Sequence, residues 1–277
     1  MALISLSITA ASRADDVGEK GHDVFKKNQH AVVTVQVVLK VSSAAGGRSS
    51  NPSESKSDIT GTVIDPSGLV VVALSACDPA DLYRRISEEY KLETEINDIK
   101  ILLDDGTEVP AEIVLRDKDL DLGFIRPKTK LASPMAAVDL SKSSTADMLD
   151  QIVTLNRLGR AAGRAYSASV ERVSAVIQKP RTFYIPDSTM STTSLGSPAF
   201  LPNGNVLGLF VMRAVNSGGS RNPRDSMTTI IIPAEDILKG AKQAPEAKGD
   251  SDKTAKPSDT KTDKDKTTDA KPDKEQK

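Results

Sequence analysis

Short runs of mostly apolar residues, separated by turn residues, recur along most of the chain. This pattern is typical of β-strands rather than of helices. Ala31-Val-Val-Thr-Val-Gln-Val-Val-Leu39 is rich in β-branched residues and predicts the first strand. The Gly-, Ser-, Asn- and Pro-containing stretch 42–57 predicts an exposed loop. Residues 59–65 and 68–73 flank the turn sequence Asp65-Pro-Ser-Gly68 and therefore predict a β-hairpin.

A second hairpin and several further strands follow this first pair. Residues 99–103 and 109–115 flank the turn Asp104-Asp-Gly106 and predict the second hairpin. Between the hairpins, residues 79–97 carry apolar side chains at helical spacing and predict an inserted helix. The remaining strands are predicted at 122–125, 151–156, 165–178, 205–212 and 227–232. Many short strands separated by turns predict an all-β domain.

The carboxyl-terminal end of the chain has a different composition. Residues 248–277 contain 9 Lys, 8 Asp or Glu and no apolar residue larger than Ala. Such a segment buries too little apolar surface to offset the entropy of ordering it, so we expect a disordered tail over residues 244–277. The tail is nearly neutral, unlike a basic arm that binds nucleic acid.

The amino-terminal residues resemble an export signal. Residues 2–11 form a short apolar stretch, and Ser12-Arg13-Ala14 before Asp15 resembles a small-x-small cleavage site. No basic residue precedes the apolar stretch, and a frayed cytosolic terminus remains the alternative. We expect a signal peptide over residues 1–14, a folded domain over residues 15–243, and export to the periplasm or the extracellular space. No stretch is long and apolar enough to predict an integral membrane segment.

Composition also limits the chemistry of the chain. The 277 residues carry a formal net charge of −1 and only 3% aromatic residues, which gives no indication of a nucleic-acid partner. One Cys and two His cannot build a metal site, and no Gly-rich phosphate-binding motif is present, so we expect no cofactor. Cys77 has apolar neighbours and is expected in the core. The basic run Arg157-Leu-Gly-Arg160-Ala-Ala-Gly-Arg164 is interpreted as a solvated loop, with binding of an acidic partner as the alternative.

Residues 187–200 read Asp-Ser-Thr-Met-Ser-Thr-Thr-Ser-Leu-Gly-Ser-Pro-Ala-Phe. This stretch resembles the nucleophile loop of trypsin-like serine proteases of the HtrA/Deg branch, which reads roughly Asp-Ala-x-Ile-Asn-x-Gly-Asn-Ser-Gly-Gly-Pro-Leu. Further segments resemble the same branch in the same order, at 24–35, 61–71, 103–111, 116–126, 203–209 and 230–233. The resemblance implies the trypsin-like all-β fold, with two antiparallel six-stranded β-barrels and the ancestral site in the cleft between them. We expect no PDZ domain of the kind that accompanies this branch.

The resemblance also implies where a catalytic triad would lie, and two of its members differ here. Asp121 matches the orienting carboxylate, whereas Ser75 stands at the position of the histidine and Leu195 at that of the nucleophilic serine. Leucine has no oxygen to attack a carbonyl, and a serine hydroxyl does not titrate near neutral pH and cannot serve as the general base. Thr193 replaces the glycine whose backbone N–H contributes to the oxyanion hole. The degenerate triad predicts a protein that is not an enzyme.

Other residues offer no clear replacement for the triad. His22 and His30 both precede the first strand. Asn216-Ser217-Gly218-Gly219 spells the nucleophile sequence better than residues 194–197 do, but no Pro follows it, so we interpret Ser217 as a loop serine. We predict a non-catalytic trypsin-like protein of the cell envelope that binds a peptide or protein through the ancestral cleft and its loops. An active HtrA-like serine endopeptidase and a structural envelope protein are the alternatives.

Overall fold

The computed structural model of the protein describes residues 16–45, 48–86, 91–187, 195–215 and 226–246. The predicted signal peptide and residues 247–277 of the predicted tail lie outside the described residues, as do Thr193 and Ser217. The described strands form two closed six-stranded antiparallel β-barrels. The predicted all-β double-barrel fold is therefore confirmed.

The first barrel is formed by the amino-terminal half of the chain. Its strands are β1 (Val32–Ala45), β2 (Arg48–Ser49), β3 (Ser53–Asp65), β4 (Leu69–Ala73), β5 (Lys91–Leu102), β6 (Glu108–Asp117) and β7 (Leu122–Pro127). Their spatial order is β1-β3-β4-β7-β6-β5, and β5 pairs with β1 to close the barrel, while the short β2 extends the sheet beside β1. All residues of β4 and β7 are buried, which places these two neighbouring strands at the centre of the molecule.

The second barrel follows in the carboxyl-terminal half. Its strands are β8 (Gln151–Arg157), β9 (Tyr166–Ile177), β10 (Phe183–Pro186), β11 (Pro198–Phe200), β12 (Val206–Ala214) and β13 (Met227–Pro233). Their spatial order is β10-β13-β12-β11-β8-β9, closed by pairing of β9 with β10. One buried apolar cluster runs from Val35 and Val72 of the first barrel to Leu155 and Leu209 of the second. The two barrels therefore share a continuous core.

In the described part of the chain, four α-helices lie outside the barrels: α1 (Asp16–Asn28), α2 (Leu74–Cys77), α3 (Ala80–Ile86) and α4 (Ala234–Ala241). α1 packs on the second barrel, where Gly21 lies against Val153. α4 returns to the first barrel, where a Cβ on Gly240 would lie 2.8 Å from the ring of Phe124. The two ends of the described chain thus each contact the barrel built from the opposite half of the sequence.

The helix predicted over residues 79–97 is wrong in its second half. Helix α3 covers only Ala80–Ile86, and β5 begins at Lys91. The apolar spacing fits a helix, but residues 91–98 also alternate between exposed and half-buried positions, which suits a strand. Pairing of β5 with β1 from Ala44 to Thr34 satisfies the backbone of this segment and overrides the helical pattern.

The loop predicted over residues 42–57 is also wrong in part. β1 continues to Ala45 and β3 already begins at Ser53, so the two strands form a longer hairpin than the composition indicates. The short strands β2, β10 and β11 and the helix α4 were not predicted. The other strands lie within a few residues of their predicted positions.

The basic run holds the second barrel against the first. Arg160 and Arg164 both donate hydrogen bonds to the buried carboxylate of Asp58 on β3, at distances of 2.7 to 3.0 Å. Gln36 donates a third hydrogen bond, at 3.2 Å. Burial alone would raise the pKa of Asp58, but the hydrogen bonds from Arg160, Arg164 and Gln36 outweigh it and lower the pKa to about 2. These two arginines therefore bind an acidic residue of their own chain rather than standing free in solvent.

Cys77 is completely buried at the end of α2, as predicted. Burial raises the pKa of its thiol to about 12, so the thiol stays protonated near neutral pH. Cys77 is a core residue and not a reactive nucleophile.

Candidate site in the cleft between the barrels

Asp121 lies at the entrance to β7, where the chain turns into the centre of the molecule. Its backbone adopts the left-handed conformation, with φ of 58°, which Asp tolerates better than most side chains. Its carbonyl oxygen accepts a hydrogen bond from the backbone N–H of Leu74, at 2.8 Å. This contact fixes Asp121 against the end of β4 and directs its carboxylate into the cleft.

Ser75 meets this carboxylate directly. The chain leaves β4 at Ala73 and turns into α2, which brings the backbone N–H of Ser75 to 2.7 Å from Asp121 Oδ1. The hydroxyl of Ser75 donates to Asp121 Oδ2, also at 2.7 Å. From the second barrel, the backbone N–H of Met212 donates to the same Oδ2 at 2.8 Å. Three donors from two barrels therefore hold the carboxylate, and none of them is an imidazole.

Burial is the main cause of the shifted pKa of Asp121. Burial raises the pKa of Asp121 from its ordinary value of 3.8 to about 6. The hydrogen bonds from Met212 and Ser75 and the positive charge of Arg85 act in the opposite direction and lower the pKa, but they do not outweigh the desolvation. Asp121 is thus ionised at neutral pH, at a cost that its three hydrogen bonds only partly offset.

Leu195 is buried where the two barrels meet. Its side chain is 3% exposed and belongs to the apolar core shared by the two barrels. Its neighbour Gly196 has φ of 88°, and a Cβ there would lie 2.2 Å from the carbonyl oxygen of Thr60, so only glycine fits. Gly196 also accepts a hydrogen bond from the hydroxyl of Thr62 on β3, at 2.8 Å. This turn is therefore a packed contact between the barrels.

The structure brings the positions of Ser75, Asp121 and Leu195 into one region. Gly196 donates its N–H to the carbonyl of Phe210, two residues from the Met212 that contacts Asp121. A Cβ on Gly196 would also lie 3.5 Å from the backbone nitrogen of Ala73, just before α2. The three positions thus converge on one strand, β12. The fourth predicted position, Thr193, lies outside the described residues.

Both histidines of the chain lie elsewhere. His30 Nδ1 is 2.8 Å from a carboxylate oxygen of Asp104 and 3.1 Å from the hydroxyl of Tyr166. His22 lies on the exposed side of α1. Because the sequence contains no third histidine, no imidazole of this chain contacts Asp121 in the described structure.

The space beside Ser75 and Asp121 is small. The cavity there has a volume of about 20 Å³, and Leu82 and Arg85 of α3 form one wall opposite Met212. A volume of this size holds about one water molecule. Two features enclose this site, helix α3 and the backbone N–H of Met212. Neither was predicted in this role from the sequence. A backbone donor carries no sequence signal, and α3 was predicted only as part of a longer helix.

The described residues contain neither a metal-binding cluster nor a membrane-spanning helix. Within residues 16–246, apart from the gaps given above, no group of three or more His, Cys, Asp or Glu side chains is arranged to hold a metal ion. In the same part of the chain, no helix is both long and apolar enough to cross a bilayer.

The fold and this cleft define a trypsin-like protein. Residues 59–209, more than half of the chain, match the trypsin-like peptidase domain. The chain therefore belongs to the trypsin-like peptidase family. No curated protein sequence matches it significantly.

Two solved structures share its fold. The protease domain of MamO from Magnetospirillum magneticum, in its apo form, is 16% identical with a TM-score of 0.51, and the alignment covers 78% of this chain and 97% of that one. A serine-to-alanine variant of the HtrA-type protease AlgW, with a tripeptide, is 16% identical with a TM-score of 0.53. That alignment covers 80% of this chain and 62% of the AlgW chain. At this level of identity the likeness concerns the fold.

We predict that Ser75→Ala raises the pKa of Asp121 above its present value of about 6. The lost hydrogen bond favours the ionised carboxylate, and a bond worth roughly 1.5 kcal/mol corresponds to a rise of about one pH unit. Because the folded-state pKa exceeds the unfolded one, the folded protein holds this proton more tightly. The free energy of unfolding therefore falls as the pH rises from about 4 to about 6, and in the variant this fall should continue to higher pH.

Chemical unfolding at a series of pH values measures this effect. The matched control is Ser141→Ala, which removes the hydroxyl that donates to the exposed carboxylate of Asp139. The control should leave the pH dependence around pH 6 unchanged. Equal profiles for Ser75→Ala and the unmodified protein would show that the hydroxyl does not act on Asp121.

Proposed function

We propose that this protein is a non-catalytic member of its family that binds a peptide or an unfolded protein segment along the cleft between the barrels. The observation that carries the proposal is the carboxylate of Asp121. Its partners are Ser75 and Met212, where a serine protease requires an imidazole. A carboxylate at this position without an imidazole beside it supports a cleft that binds a peptide without cleaving it.

The described side chains supply no route for acyl transfer. Attack on a peptide carbonyl needs a nucleophile and a base within hydrogen-bond reach of each other. Leu195 has no oxygen and is buried. Ser75 has an oxygen and its hydroxyl donates to Asp121, but the adjoining cavity of about 20 Å³ holds only about one water molecule.

Binding of a peptide is supported by the way β12 pairs with its neighbouring strands. β11 pairs with β12 only as far as Leu209, whereas β12 continues to Ala214 beside β13. Among the described strands, none pairs with the remaining edge of β12 near Ala214. An extended peptide can add to such an edge through main-chain hydrogen bonds, which require no particular sequence. The tripeptide in the related AlgW structure is consistent with a fold that accommodates peptides.

The purified protein should not be labelled by a fluorophosphonate, because it lacks a nucleophile activated by a base. Leu195→Ser alone should not restore labelling, since the serine would still lack a base. The triple variant Ser75→His, Thr193→Gly, Leu195→Ser should be labelled if the predicted positions are right, because Asp121 would then orient an imidazole. In-gel fluorescence measures each outcome, with a trypsin-like protease as the positive control.

Labelling of the unmodified protein that disappears in Ser217→Ala would contradict the proposal. It would make Ser217 the nucleophile and the protein an active endopeptidase. Labelling that persists in Ser217→Ala but disappears in Ser75→Ala would instead identify Ser75 as reactive.

We further propose that the protein is exported to the cell envelope. The support is the apolar stretch over residues 2–11 followed by Ser12-Arg13-Ala14. Mass spectrometry of the protein from the natural host should then find a mature amino terminus near Asp15. An intact terminus at Met1 in a cytosolic fraction would contradict export.

A further inference from the structure

A second cleft adjoins the cavity beside Ser75 and Asp121, because Arg85, Met212 and Ala214 line both spaces. It has a volume of about 250 Å³ and is formed by both barrels, with Leu120 on one side and Phe183, Ile230 and Ile232 on the other. Three arginines line it, namely Arg85 on α3, Arg181 before β10 and Arg213 on β12. We call this space the arginine cleft.

The three arginines come from separate parts of the chain and are held in different ways. The guanidinium of Arg213 lies over the ring of the buried Phe183, at 5.0 Å from its centroid. Arg85 donates a hydrogen bond to the carbonyl oxygen of Lys118, at 2.5 Å. Arg181 is exposed at the rim. Two of the three side chains are thus positioned by neutral partners, which leave their positive charge in place.

The charge of this cleft is not balanced within the described structure. Among the described residues, no carboxylate forms an ion pair with Arg85, Arg181 or Arg213, in contrast to Arg160 and Arg164, which both bind Asp58. The nearby Asp81 is already paired with Arg84 and Lys118. Asp119 is the one carboxylate that lines the cleft among the described residues, and it is exposed. Three guanidinium groups and one carboxylate therefore line a space large enough for a side chain, and the positive charge of Arg85 also acts on the nearby carboxylate of Asp121.

We propose that the arginine cleft binds a carboxylate of the bound peptide, either an Asp or Glu side chain or the terminal carboxyl group. Guanidinium groups match the planar geometry of a carboxylate and can donate two parallel hydrogen bonds to it. The apolar wall of Phe183 and Ile230 accommodates a neighbouring apolar side chain. Because Arg213 lies between Met212 and Ala214, a peptide along β12 passes directly beside the three arginines. This inference rests on the proposed function and specifies which peptides the cleft prefers.

The experiment uses the full chain and short fluorescein-labelled peptides in which Val alternates with Glu, or with Gln at the same positions. Each peptide is made with a free and with an amidated carboxyl terminus, so that a side-chain carboxylate and a terminal one are distinguished. Fluorescence anisotropy should give at least about tenfold tighter binding for the peptides that carry a carboxylate, and the difference should shrink as salt screens the charges. Arg213→Gln and Arg181→Gln should each remove most of this preference.

The matched control is Arg84→Gln. Arg84 is the neighbour of Arg85 on α3, but it pairs with Asp81 and does not line the cleft. This variant should bind the acidic peptides as the unmodified protein does. Unfolding temperatures of all variants show whether a loss of binding reflects a loss of fold.

Two results would overturn the proposal. The first leaves the proposed peptide binding intact, and the second does not. Equal affinity for the Glu and Gln peptides, or a preference that survives both arginine variants, would refute carboxylate recognition while peptide binding itself is retained. No binding of either peptide at any concentration tested would refute the arginine cleft and the proposed binding function together.

Discussion

The carboxylate of Asp121 is the contact on which the geometry of the cleft depends. It accepts hydrogen bonds from Ser75, which follows the central strand of the first barrel, and from Met212 in the second barrel. Placing a carboxylate here is costly, as its raised pKa of about 6 indicates. Loss of any one donor would leave a buried charge less well satisfied, so the three contacts are mutually dependent. The carboxylate of Asp121 therefore joins the two barrels.

The turn at residues 195–197 is a second packed contact between the barrels. Leu195 fills part of the shared core, and Gly196 is required by its close approach to Thr60. Ser197 Oγ and Thr60 Oγ1 both donate to the side-chain oxygen of Asn156, at 3.1 and 2.7 Å. Together with the pairing of Arg160 and Arg164 with Asp58, these contacts hold the barrels in one arrangement. The arginine cleft differs from these contacts between the barrels because, among the described residues, no carboxylate forms an ion pair with its three arginines.

Local patterns in the sequence were sufficient for the hairpins, whereas the resemblance to trypsin-like proteases placed Ser75 and Asp121 at neighbouring positions. The turn sequences at Asp65 and Asp104 each link strands that pair as predicted. Long-range contacts determined the features that were missed. β5 forms at residues with helical spacing because β1 offers it a partner, and the three residues of β11 are too few to carry a pattern. The burial of Leu195 and the N–H that Met212 offers to Asp121 depend on how the barrels meet, which spacing along one strand does not encode.

Whether the cleft hydrolyses a peptide is the central question for this protein. The most direct measurement is to incubate the protein with an equal amount of unfolded casein for many hours and to search for new casein amino termini by mass spectrometry. With no imidazole beside Asp121 and no hydroxyl at Leu195, we expect casein to remain intact while part of it co-elutes with the protein. New termini that form with the unmodified protein and vanish in Asp121→Asn or Ser217→Ala would contradict the account, because they would show that this cleft still catalyses hydrolysis.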